Sequence, residues 1–116
     1  MNIWSSAKAD REFSLHIRAR DGKCMRCGRK PPDINLQCSH FWHRGHSATR
    51  YDPKNCIALC AGCHLYKWEV EKQGEYRDFM VRWLGQTEYD LLKKRAQSTV
   101  KRSDAILQLM KLLNGK

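Results

Sequence analysis

No apolar run in this 116-residue chain approaches the length needed to cross a bilayer, which excludes a membrane-spanning helix. The opening Met-Asn-Ile-Trp-Ser-Ser has no basic segment followed by an apolar one, so no secretory leader is expected, and the expected location is the cytoplasm. No internal repeat and no low-complexity tract breaks the chain, so a solenoid or a long flexible linker is not expected. Acidic residues are scarce: 12 Asp and Glu stand against 22 Lys and Arg, a net charge of +10. Such a balance draws polyanions, and nucleic acid is the usual one.

What is abundant for the size is cysteine, six in all. In a reducing compartment the pairs Cys24-x-x-Cys27 and Cys60-x-x-Cys63 read as metal knuckles and not as disulfides. Zinc takes four tetrahedral sulfur or nitrogen ligands, and two such pairs supply four thiolates. The 32 residues between the pairs exceed the spacing of a minimal zinc ribbon, so Zn²⁺ would clamp the base of whatever lies between. A chain of this length forms one small domain, 1–116, with thin stability unless a structural metal staples it. Cys38 and Cys56 are surplus to the knuckles and read as small buried apolar side chains.

Along the chain, Ser5 or Ser6 can cap a helix over 5–21 whose apolar positions Ala9, Phe13 and Ile17 recur every four residues, with Asp21-Gly22 as its stop. Segment 22–73 carries both knuckles. Within it, weak alternation from Ile34 to Phe41 predicts one strand and Asn55 to Leu59 a second, joined by a loop of thirteen residues. A loop that long inside a compact domain is often functional. A helix is predicted from Ala61 to Gln73 with Gly74 as its stop, placing His64, Lys67, Trp68 and Glu71 on one face. Segment 75–116 is helical. Tyr76, Phe79, Met80 and Trp83 form a core-facing stripe closed by Gly85, and Thr87-x-x-Asp90 resembles a capping box opening the next helix. The last helix, with Ile106, Leu109, Met110 and Leu113 on one side, either completes the core or pairs with a second subunit. The fold class is α+β, mostly helical, around one short hairpin.

Chemistry concentrates between residues 38 and 64, which hold four of the five histidines. His40 on the first strand, Asn55 heading the second and His64 opening the following helix can converge, because zinc would fix hairpin to helix. A base to activate water, a group to orient it and a cation beside the leaving oxygen are the parts of metal-assisted phosphodiester hydrolysis.

The pattern Asn55-x-x-x-Leu59-Cys60-x-x-Cys63-His64-x-x-Lys67, with His40 and the Cys24/Cys27 pair upstream, resembles the His-Asn-His (HNH) endonucleases of the ββα-metal fold. Phe13-Ser-Leu-His-Ile-Arg18-x-Arg20-Asp21, His40-Phe41 with Arg44, and Thr49-Arg50-Tyr51-Asp52 resemble more closely the phage NinG recombination proteins, relatives of the Rap junction endonucleases. The resemblance spans about residues 7–92. It implies that His40 is the general base, that Asn55 holds the loop that aims it, and that His64 ligates a catalytic Mg²⁺ or Mn²⁺. It also implies DNA as partner, with preference for branched recombination intermediates, and a bacterial host's cytoplasm as location. Arg44, Arg50 and Lys67 around the presumed site can bind phosphate oxygens.

Many HNH enzymes place an Asp or His metal ligand just before the base, where this chain has Ser39. The second ligand is therefore open among His43, His46, Asp52 and water. For His43 and His46, phosphate contact or solvent exposure is favoured. Trp42 can stack on a base or pack against the loop. Symmetric junction cutting would call for a homodimer, for which the C-terminal helices are the expected interface. The rival reading is a non-catalytic zinc-containing DNA-binding module, and a third is a structural zinc protein serving protein contacts.

Overall fold

The computed structural model describes residues 2–115; Met1 and Lys116, the ends of the expected domain 1–116, lie outside the described residues. The protein is α+β. Helices α1 (Ser6–Asp21), α2 (Ser47–Arg50), α3 (Gln73–Leu84), α4 (Gln86–Ala96) and α5 (Arg102–Asn114) surround strands β1 (Leu36–His40) and β2 (Cys56–Cys60), and a π-type helix (Cys63–Glu71) follows β2.

The strands pair antiparallel, with Leu36 opposite Cys60 at one end and His40 opposite Cys56 at the other. Every residue of β2 is buried. Side chains alternate along a strand, so β2 feeds two cores at once. Ile57 and Leu59 pack with Trp68, Tyr76, Met80 and Leu92 on the side of α3 and α4. Cys56 packs on the other side with Phe13 and Ile17 of α1 and Leu109 of α5.

Helix α1 forms as its sequence predicts. Ser5 caps it by accepting from the Lys8 N–H at 3.1 Å, and Gly22 ends it at φ +67°, a left-handed conformation that glycine adopts without strain. Its four-residue stripe, Ala9, Phe13 and Ile17, is fully buried, and truncating Phe13 to Ala would cost about 3–5 kcal/mol. The last turn also grips the hairpin. Asp21 Oδ2 accepts from Ala58 N–H at 2.8 Å, and Arg20 Nη2 donates to Cys56 O at 2.7 Å.

Three expectations change. The helix after β2 does not run to Gly74. It winds with i→i+5 bonding, as from Lys72 N–H to Lys67 O at 2.6 Å, and breaks at Lys72; Gly74 lies in the first turn of α3. The wider winding turns both Cys63 and Trp68 inward, five residues apart. His64, Lys67, Trp68 and Glu71 therefore do not share a face: Trp68 is buried, while Lys67 and Glu71 pair at the surface at 3.2 Å. The capping box is also replaced. A one-residue link, Gly85 at φ +85°, joins α3 to α4, so Thr87 falls inside the first turn, and Asp90 accepts from the Gln86 side chain at 2.9 Å. The apolar side of α5 closes the core with α1, the first of the two arrangements expected for it, and leaves Leu107 and Leu112 exposed.

Candidate functional site

The two Cys-x-x-Cys pairs meet. The sulfurs of Cys24, Cys27, Cys60 and Cys63 all lie within 4.8 Å of one another, with Cys27 and Cys60 at 3.9 Å. A tetrahedron with Zn–S of about 2.3 Å has edges of roughly 3.8 Å, so this donor set can hold a metal ion of that kind. The first knuckle turns through Gly28 at φ +80°, whose N–H donates to Cys24 O at 2.8 Å. Two guanidinium groups face the sulfurs: Arg29 Nε lies 3.5 Å from Cys27 Sγ and Arg26 Nη1 3.6 Å from Cys63 Sγ. The Arg29 hydrogen bond holds the Cys27 thiol well below its usual range. Such cations offset the negative charge that four thiolates carry beyond a divalent metal. Arg26 also binds Glu75 at 2.8 Å, and Glu75 accepts from the Trp68 indole at 2.9 Å, so the knuckle is braced against α3.

At the far end of the hairpin, Asn55 is fully buried and stitches the long loop. Its Oδ1 accepts from Trp42 N–H at 2.8 Å, and its Nδ2 donates to Trp42 O at 2.9 Å and Thr49 O at 3.0 Å. The amide supplies one acceptor and two donor hydrogens at once, where a carboxylate has none to donate and a hydroxyl only one. This loop carries the Arg50 carbonyl to within 2.9 Å of His40 Nε2. A carbonyl only accepts, so Nε2 carries the hydrogen and Nδ1 keeps the lone pair. Burial brings the His40 pKa down to about 4, outweighing the carbonyl contact, so the ring is a neutral acceptor at neutral pH.

His64 is fixed in the same manner. Its Nδ1 donates to Gln37 Oε1 at 2.8 Å, leaving the lone pair on Nε2. Burial also lowers the pKa of His64. His40 and His64 open on one cleft of about 490 Å³, together with Gln37, His43, Arg44 and Glu69. A strand histidine and a helix histidine, each with one unprotonated nitrogen, thus line a common cleft with Arg44 and Glu69.

The other predicted residues divide. Arg44 lines the cleft with its side chain 61% exposed. Lys67 is at the surface, paired with Glu71. Arg50 does not fit the expected phosphate contact: its guanidinium is buried, bound to both carboxylate oxygens of Asp10 at 3.1 and 2.8 Å and to Arg44 O at 3.3 Å. Burial raises the Asp10 pKa, but hydrogen bonds from Arg50 and Tyr51 and the charges of Arg50 and Arg44 outweigh it and hold the carboxyl below its ordinary range. Ser39 is buried against Tyr76, with the two oxygens 2.7 Å apart, on the face turned away from His40.

Of the candidates for a second ligand, only His43 lines the cleft, where its Nε2 lies 3.5 Å from Glu69 Oε2. His46 is bound to Ala96 O at 3.0 Å, and Asp52 is spent on Lys54 N–H and Arg95. Trp42 packs edge-on against Phe41, and its buried indole nitrogen has no hydrogen-bond partner among the described residues.

Sequence reasoning missed Asp10, Gln37 and Glu69. Asp10 flanks the buried stripe three residues before Phe13, a place where an acid usually has a partner. Gln37 and Glu69 gave no comparable signal.

No protein-family model, no curated protein and no solved structure matches the chain. The functional reading therefore rests on the geometry of these residues.

Proposed function

We propose that the protein is a zinc-stapled, divalent-metal-dependent DNA endonuclease of the HNH kind, selecting branched or recombination-intermediate DNA. The observation that carries the reading is the pair of histidines on one cleft, each with its tautomer set so that one nitrogen is free to accept. His40 Nδ1 takes a proton from water as the water oxygen attacks phosphorus and the bond to the 3′ oxygen breaks. The Arg50 carbonyl stabilises the imidazolium that results, through the Nε2 hydrogen. Asn55 keeps that carbonyl in place by fixing the loop. Arg44 at the rim and Lys67 on the neighbouring helix meet phosphate oxygens. Mg²⁺ or Mn²⁺ held through His64 Nε2 would supply stabilisation of charge on the phosphate and the leaving oxygen. Zn²⁺ held by Cys24, Cys27, Cys60 and Cys63 would be structural. A homodimer making paired cuts would need surface other than the buried side of α5.

The test is cleavage of linear, nicked, flapped and four-way DNA with each divalent cation, wild type against His40→Ala. His40→Ala should fold, bind DNA normally and lose about 10²–10⁴-fold in rate. Equal cleavage by both proteins sinks the base assignment. The second reading, a DNA-binding module without catalysis, draws on Ser39, which gives the cleft no ligand; binding without cleavage of any substrate by wild type would establish it.

A further inference from the structure

We propose that Cys38, His40 and Cys56 form a second metal site, separate from the four-cysteine group, which takes a thiophilic divalent cation such as Zn²⁺, Cd²⁺ or Co²⁺. One ligand atom from each of the three residues lies within 4.8 Å of the others. All three project from the same face of the hairpin, since His40 pairs with Cys56 and Cys38 with Ala58 in the antiparallel register. Paired strands hold these side chains in fixed relation, as a metal site requires.

The donor set selects the cation. Two sulfurs and an imidazole suit soft or borderline metals, while Mg²⁺ and Mn²⁺ prefer oxygen. Charge balances as well. Each thiol gives up its proton on ligation, and two thiolates with a neutral imidazole cancel a divalent charge, which suits a place where Cys56 is fully buried. The Arg50 carbonyl already binds Nε2–H of His40, the outer contact that orients a histidine ligating through Nδ1. Cys38 and His40 line the cleft, so the ion has an entry path, and solvent can fill a fourth position.

Ligation occupies the His40 lone pair. On the nuclease reading, on which this consequence alone rests, zinc at this site blocks the general base and competes with catalysis without displacing the Mg²⁺ or Mn²⁺.

The experiment starts from full-length protein carrying one zinc per chain and titrates Co²⁺ with optical and direct metal analysis. Wild type should take up a second equivalent, show thiolate-to-cobalt absorption and release about two protons per ion. Cys38→Ala and Cys56→Ala should retain the first metal, which with circular dichroism verifies folding, and lose the second. Uptake of a single metal by wild type overturns the proposal, as does an unchanged second equivalent in both variants. In parallel, micromolar Zn²⁺ added to a Mg²⁺ cleavage assay should inhibit wild type and spare Cys38→Ala. Absence of any cleavage refutes the nuclease reading, while the stoichiometry still decides the metal site.

Discussion

The two ends of one short hairpin are built on opposite plans. At the Leu36–Cys60 end, four sulfurs gather under two arginines and the chain is tied to α3. At the His40–Cys56 end, an amide stitches a long loop, and a neutral imidazole faces a cleft. The first end turns its sulfurs toward one another and toward Arg26 and Arg29. The second leaves lone pairs open. A metal held at the base of the hairpin would free its tip from having to be apolar, so that a chain this small could keep unprotonated histidines beside solvent.

The sharpest way to break that contrast is to attack the closed end. Stripping metal with a chelator, or Cys60→Ser, should cost several kcal/mol and on the order of 15 °C in Tm by circular dichroism. An unchanged melting curve would show that the base needs no staple. Next in size is the stitch at the open end. Asn55→Ala leaves buried backbone groups of Trp42 and Thr49 unpaired and should lower denaturant stability by about 3 kcal/mol. A loss under about 1 kcal/mol would mean that the loop holds itself.

A smaller effect is expected at Asp10. Its carboxyl has a depressed pKa in the folded state, so its contribution is present above the ordinary aspartate range and is lost as pH falls from there through the lowered folded value. Asp10→Asn should therefore be less stable than wild type by about 1 kcal/mol near neutrality, the scale of a partly exposed pair, and the gap should close in acid unfolding curves. A gap that persists at low pH would assign the loss to packing. The least change is expected from Lys67→Ala, within about 0.5 kcal/mol in stability because its pair with Glu71 is exposed. DNA binding should weaken without regard to sequence, with the salt slope reduced by about one.

The closed end was legible because ligand spacing is a chemical constraint written directly into the chain. So was α1, whose stripe, cap and stop all agree, and so was the stripe of α3. That His40 and His64 line one cleft followed from their order along the elements, whereas Asn55 lies outside the cleft and stitches the loop at the His40–Cys56 end. The tautomers did not, since they depend on a carbonyl in the loop and on Gln37, a polar residue that no periodicity marks. Gly74 misled because glycine signals a stop only where the backbone needs one, and here the break falls at Lys72, where i→i+5 winding ends. Arg50 looked like a phosphate ligand because the sequence could not reveal that Asp10, forty residues earlier, already holds it. Cys38 and Cys56 read as small buried apolar side chains, which Cys56 is, and only the strand register shows that both lie beside His40.

Arg50 serves two masters. Its side chain grips Asp10 on α1 while its own carbonyl holds the His40 ring. This ties the first helix to the imidazole through a single residue: the position of α1 relative to the loop bears on the hydrogen bond that sets the His40 tautomer.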